Sequence, residues 1–203
     1  NGISRIEINS TVSKYDDRFG LRGTVEQIVR FQDTLFAATQ SGLYYFDENM
    51  NRFMDMDITH LECFALDVIK IANEEILIVT LNDGLYEYAG KGNKLKLIQK
   101  AYPWGAAQSP INESEVFVAL EGGITVLNKV DTGWQYIDTN TRIRGNILNA
   151  NIFENKVWFG SQHDGLFILD PADVSKKIEH YSIEEGLPSN SIVPELYEGQ
   201  VHI

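Results

Sequence analysis

The chain has 203 residues, of which 43% are hydrophobic and 23% charged, a globular composition large enough to bury a core and unlike that of a disordered segment. A formal charge of −12 opposes the phosphate neutralisation on which nucleic-acid binding depends, and disfavours an anionic membrane surface for the same reason. The single cysteine, Cys63 in the apolar stretch "LECFALDVI", excludes an intramolecular disulfide framework and reads as a buried thiol.

Taken in chain order, the apolar residues alternate or run in short blocks between Gly, Asn, Asp and Ser, the pattern of strands. The opening residues "GISRIEI" and "VSKYDD" read as two strands. Next come "VEQIVRF" from Val25, "TLFAAT" to Thr39, "GLYYFD" from Gly42 and, after the "ENMN" turn, "RFMDM". A second set follows as "CFALDVIKI", "EILIVT", "GLYEYA" and "KLKLI". The third has a weak first strand around "GAAQSPI", then "EVFVAL", "GITVLN" and "GWQYID", and the fourth reads "NILNANIF", "KVWFGS", "GLFILD" and "KIEHYS". The chain ends on "SIVPELY" and "QVHI".

The sets repeat. Gly42, Gly84, Gly123 and Gly165 each follow a polar turn and precede an alternating strand, at spacings of 84 − 42 = 42, 123 − 84 = 39 and 165 − 123 = 42. Four short strands in a unit of about forty residues is the signature of a propeller blade, so an all-β propeller of four-stranded antiparallel blades is expected across residues 1–203 as a single domain or propeller fragment. With strands named A to D in each blade, the N-terminus supplies C and D of one blade and the C-terminus supplies A and B of another. Pairing Val201–Ile203 beside Gly2–Ile6 would close a composite fifth blade and hide its edges. The alternative is a segment of a larger propeller. Opening on Asn, the sequence reads as a processed or excised piece; no apolar run approaches the roughly 18 residues needed to span a bilayer.

"EEGLPSNSIVPELYEGQVHI" and "KVWFGSQHDGLFILD" resemble the two-component regulator propeller repeat of extracytoplasmic sensor regions in bacterial signalling proteins. Gly186, Leu187 and Asn190 match that repeat's opening Gly-Leu-x-x-Asn. Trp158, Gly160 and Ser161 match its Trp-x-Gly-Thr strand with Ser for Thr, and Gly165, Leu166 and Phe167 match the strand after the glycine turn. Elsewhere "LFAAT", "ILIVT" and "VFVAL" lack the tryptophan. The resemblance implies a ligand-sensing module, periplasmic or extracellular, whose signalling output domain lies outside these residues. It leaves open whether the module forms homodimers.

In an up-and-down blade the B-to-C and D-to-A connections collect at one end, where a rigid scaffold presents loops. The B-to-C turns supply Gln40 and Ser41, Asn82 and Asp83, Glu121, and His163 and Asp164; the D-to-A connections supply Arg22, Trp104, Arg142, Arg144, Ser189 and Asn190. The candidate ligand-binding set is therefore Trp104, His163, Asp164, Asn82, Asp83, Arg22 and Arg144. His163 and Asp164 read either as turn residues equivalent to Gln40-Ser41 and Asn82-Asp83, or as an imidazole oriented by an acid towards a ligand. Trp104, in "AYPWGAAQ", reads either as packing between blades or as an exposed ring that stacks on a sugar, which makes an oligosaccharide a candidate ligand. Trp134 and Trp158 fall in strand patterns and are assigned to the core. His60, His163, His180 and His202 lack short ligand spacing, so no metal or cofactor is expected. No nucleophile elbow, phosphate loop or zinc helix occurs, and the chain is not read as an enzyme. A protein-interaction scaffold, and a lectin or glycosidase, are the competing functions.

Overall fold

The computed structural model describes residues 14–58, 60–138, 143, 145–173, 178–198 and 200–203. Four antiparallel sheets of four strands follow one another in sequence order. They are β1 (Val25–Phe31), β2 (Thr34–Thr39), β3 (Gly42–Asp47) and β4 (Arg52–Asp55); β5 (Cys63–Ile71), β6 (Glu74–Leu81), β7 (Gly84–Tyr88) and β8 (Lys96–Gln99); β9 (Pro103–Gln108), β10 (Glu115–Leu120), β11 (Gly123–Val130) and β12 (Gly133–Asp138); and β13 (Ile147–Phe153), β14 (Lys156–Ser161), β15 (Leu166–Leu169) and β16 (Glu179–Tyr181). A hairpin of β17 (Glu195–Tyr197) and β18 (Gln200–His202) comes last. Each sheet is an up-and-down blade, and the chain is an all-β propeller. The proposed pairing of Val201–Ile203 with Gly2–Ile6 lies outside the described residues.

The blades form where two-residue turns allow it. Gln32-Asp33, Ala72-Asn73 and Glu154-Asn155 all adopt positive φ, from 45° to 68°, the left-handed pair that matches hairpin twist between strands A and B. At the far end of strand B a hydroxyl seals the next turn. Thr39 Oγ1 donates to the Gly42 carbonyl at 3.0 Å, and Ser161 Oγ donates to that of Gly165 at 2.9 Å.

Burial lies at the seams between blades. Phe31, Phe36, Ala38 and Leu43 of the first blade pack against Leu66, Leu77, Val79 and Tyr88 of the second. Ile69, Ile78 and Leu85 meet Ala106, Val116 and Val118 of the third, and Ala107, Phe117 and Ala119 meet Ile147, Ala150 and Phe159 of the fourth. Each fully buried large apolar side chain contributes about 1.5–3 kcal/mol, so the seams hold the ring segment together. The inner strands β1, β5, β9 and β13 stand side by side. Polar staples tie neighbours in this row: the Leu66 N–H donates to Gln27 Oε1 at 2.8 Å and the Ala106 N–H to Asp67 Oδ2 at 3.0 Å, and Asn149 Nδ2 of β13 donates to the carbonyl of Pro194, just before β17, at 2.8 Å.

Candidate functional site

The B-to-C turns and D-to-A connections meet at one end, as the topology requires. Gln40, Asn82, Glu121 and Gln162 each donate a backbone N–H to the carbonyl of Thr24, Glu62, Tyr102 and Asn146, at 3.1, 3.0, 3.0 and 2.9 Å. At this end every inner strand carries a β-bulge. Val25 pairs with Thr39 and Gln27 with Ala38, Cys63 with Leu81 and Ala65 with Thr80, Pro103 with Leu120 and Gly105 with Ala119, Ile147 with Ser161 and Asn149 with Gly160. One residue is left over in each, namely Glu26, Phe64, Trp104 and Leu148. A bulge re-aims the side chain of its extra residue, and four neighbouring strands do so at the same level.

The character of those four residues decides what this end can hold. Glu26 is exposed and accepts a hydrogen bond from Gln40 Nε2 at 2.9 Å. Phe64 and Trp104 lie across the seam between the second and third blades with ring centroids 4.6 Å apart, and Tyr102 packs 5.5 Å from Phe64 and 5.4 Å from Trp104. All three rings are half-buried. Among the described residues, the buried Trp104 Nε1 and Asn82 Oδ1 have no hydrogen-bond partner. A buried polar atom left unpaired costs about 1–3 kcal/mol.

Trp104 therefore lies within strand β9, not in a connection as expected from the sequence. Pro103 is tolerated as the first strand residue because its missing N–H falls where the ladder begins. The expected equivalence of His163-Asp164 with Gln40-Ser41 and Asn82-Asp83 also changes. The fourth B-to-C turn has one residue more than the others, and Gln162 takes the place of Gln40, accepting from Asn146 Nδ2 at 2.9 Å. His163 and Asp164 are exposed at its tip. The Asp164 N–H donates to Ser161 Oγ at 2.8 Å and its carboxylate lies against Gly145 of the preceding connection. The histidine bound to this turn is His180, which stacks on Phe167 with centroids 4.5 Å apart and donates Nε2–H to the Asp164 carbonyl. Asp83 is exposed and accepts from the Tyr86 hydroxyl at 3.0 and 3.1 Å. Burial first, and then that carboxylate, push the Tyr86 phenol up. Arg22 is exposed beside Tyr44, and Arg144 and Arg142 lie outside the described residues. Cys63 is fully buried and its thiol is pushed far up by desolvation, so it is no nucleophile. Trp158 sits in β14 against Phe153, and Trp134 in β12 donates to Glu87.

A second concavity went unread in the sequence. At the opposite end, the A-to-B turn and C-to-D turn of the first blade and the C-to-D loop of the second enclose a groove of about 690 Å³. Phe31, Phe36 and Tyr88 form its buried floor, with Tyr45, Phe46 and Tyr15 along the sides. Gln32 Nε2 reaches the Ala89 carbonyl at 3.4 Å, and Gly90 next to it adopts φ 104°, a conformation that strains a residue with a Cβ. Among the described residues, no three His, Cys, Asp or Glu side chains are placed to hold a metal ion, and no helix is long and apolar enough to cross a membrane.

No known family profile matches the chain, and no curated protein sequence matches it. Solved structures do. The extracellular domain of a protein from B. thetaiotaomicron, described as a hybrid two-component system, is similar with a TM-score of 0.62 at 17% identity, covering 75% of this chain and 22% of that one. A second structure of that domain, described as from a one-component system, gives 0.64 at 13% identity over 92% and 25%. An ancestral GH74 enzyme gives 0.58 at 16% over 79% and 24%, and the WD40 domain of Neurospora crassa Pan2 gives 0.54 at 15% over 78% and 50%. The chain thus spans about a quarter of the length of the extracellular domain and half that of the WD40 domain. At these identities the likeness establishes the propeller fold, shared by sensor, enzyme and interaction domains alike.

Proposed function

We propose that the chain is the ligand-recognising part of a bacterial sensor protein, placed outside the cytoplasm, which works by binding and without chemistry. The observation that carries this reading is the bulge-presented pair of Phe64 and Trp104, whose half-buried rings lie 4.6 Å apart across the seam between two blades. Half-buried aromatic faces supply large contact area at little conformational cost. Similarity of fold to the extracellular domain of a signalling protein supports the same reading. A ligand that bridges the seam between the second and third blades would bias their packing, and an output domain beyond these residues would read that bias in proportion to the ligand's differential affinity for the two states.

Intrinsic fluorescence tests the site directly. A ligand that seats on Trp104 changes its emission on titration, and Trp104→Ala, which removes the ring face, weakens binding about 10-fold. Unchanged affinity in both Trp104→Ala and Phe64→Ala would leave the pair as seam packing alone.

A further inference from the structure

We infer that the groove at the opposite end of the first and second blades is a binding site for a neutral oligosaccharide. This inference is independent of the reading of the Phe64–Trp104 end. Its volume of about 690 Å³ falls within the roughly 300–1,000 Å³ of small-molecule sites. The walls come from two blades, so the space is defined by how the blades stack and not by one hairpin.

The chemistry of the walls selects the ligand. A pyranose presents an apolar face of C–H bonds and a polar edge of hydroxyls, so it needs aromatic surface flanked by side chains that accept and donate hydrogen bonds. The floor is aromatic, and Tyr45, Phe46 and Tyr15 keep part of their rings open to the groove. Around them stand Asp33, Glu48, Asn49, Lys91 and Asn93. Asn93 donates Nδ2–H to the Gly90 carbonyl at 3.2 Å, which leaves its amide oxygen as an acceptor for a hydroxyl. Arg30 is turned onto the Asp33 carbonyl at 2.8 Å, so its guanidinium is held at the rim with donors to spare. The wall charges favour a neutral ligand. Arg30 and Lys91 face Asp33, Asp47 and Glu48, a near balance of sign in a chain of net −12, so the groove presents no single-sign field to attract an anion or a cation.

The experiment is isothermal titration of the whole chain with cellohexaose, xylohexaose, maltohexaose and mannohexaose, and with a hexagalacturonate as the anionic control. The expected result is saturable binding of at least one neutral hexasaccharide with no binding of the galacturonate. Tyr45→Ala then weakens binding at least 10-fold and Asp33→Asn at least 3-fold, while Tyr136→Ala, at an exposed position of β12 away from the groove, leaves it unchanged. Asp33→Asn keeps a residue that tolerates the left-handed turn, so a failure of Tyr45→Ala to fold does not block the test. Absence of binding by all four neutral sugars, tighter binding of the galacturonate, or binding lost in Trp104→Ala but retained in Tyr45→Ala would overturn the assignment. The last of these outcomes would at the same time support the site at the other end.

Discussion

The Trp134 indole N–H of the third blade donates to Glu87 Oε2 of the second at 2.7 Å, and Lys129 binds the same carboxylate oxygen. Lys96 lies 3.3 Å from the other oxygen, and only 12% of the Glu87 side chain remains exposed. One carboxylate thus latches the outer edge of a seam whose inner edge is closed by Asp67. Burial alone would raise the Glu87 pKa, but hydrogen bonds from Lys129 and Trp134 and the Lys129 charge outweigh it and hold the group below its usual value. The latch therefore contributes stability that is fully present above the ordinary carboxylate range and is lost as pH falls through the lowered folded value. Glu87→Ala is expected to cost about 2–4 kcal/mol at pH 7, because it strands a partly buried ammonium and an indole N–H, and Glu87→Gln less. Chemical denaturation at pH 7 and pH 3 checks this: the gap between wild type and Glu87→Gln should shrink at the lower pH.

Asp67 gives the opposite pH dependence. It lies on β5 with Ile78 across the ladder and the Ala106 N–H as its hydrogen-bond donor, and desolvation pushes its carboxyl up to about 7, against a smaller lowering from that bond. The strands packed on β5 bring no charged group to it: β2 and β9 carry none, Glu74 and Glu75 of β6 pair with Ile71 and Lys70 at the far end, and Glu26 and Arg30 of β1 are exposed. The folded chain therefore holds a proton there that the unfolded chain releases near pH 4. Stability from this group is full below about pH 4 and declines as pH rises towards 7, by on the order of 2–4 kcal/mol. Asp67→Asn should remove the decline and leave the variant more stable than wild type at pH 8. A wild-type unfolding free energy that rises from pH 5 to pH 8 as steeply as that of the variant would contradict it.

The turn that contains His163 separates a structural role from a displayed one. Gly165 has φ 82°, and a Cβ there would sit inside contact distance of the Tyr181 carbonyl. Gly165→Ala is expected to lose roughly 2 kcal/mol or more, and His163→Ala, at an exposed tip, to stay within about 0.5 kcal/mol of wild type. Urea midpoints at constant slope measure both. A large loss from His163→Ala would assign the imidazole a structural contact.

The blades were legible because Gly42, Gly84, Gly123 and Gly165 mark the same turn in four copies, and because strand alternation survives wherever a face is buried at a seam. The strands of the first blade match their sequence segments almost residue for residue. Trp104 was misplaced because Pro103 and "YPWG" carry the marks of a loop, whereas a bulge and a strand-initiating proline accommodate them within β9. The extra residue in the fourth turn was hidden by aligning on glycine, which conceals that Gln162 holds the place of Gln40. The groove beside Tyr45 had no local signal at all. Its walls lie near residues 30–35, 45–49 and 88–93, and only the stacking of one blade on the next brings them together.

Ala72 offers a test of the turn geometry itself. Its φ of 49° is left-handed, a conformation that costs a residue with a Cβ about 1–2 kcal/mol and that glycine adopts freely. Ala72→Gly should raise the stability by about 0.5–1 kcal/mol, and a lowered melting temperature would show that Ala72 does not sit in a left-handed turn in solution.

Thermal unfolding of the chain with and without an oligosaccharide panel tests the central claim, recognition of a small ligand, most directly. A ligand at about 100 times its dissociation constant adds roughly 2.7 kcal/mol, which in a domain of this size is a rise in melting temperature of about 5–10 °C. A selective rise with one class of sugar is the expected result. A cooperative transition that no ligand moves would contradict the account and point to a surface that binds protein partners instead.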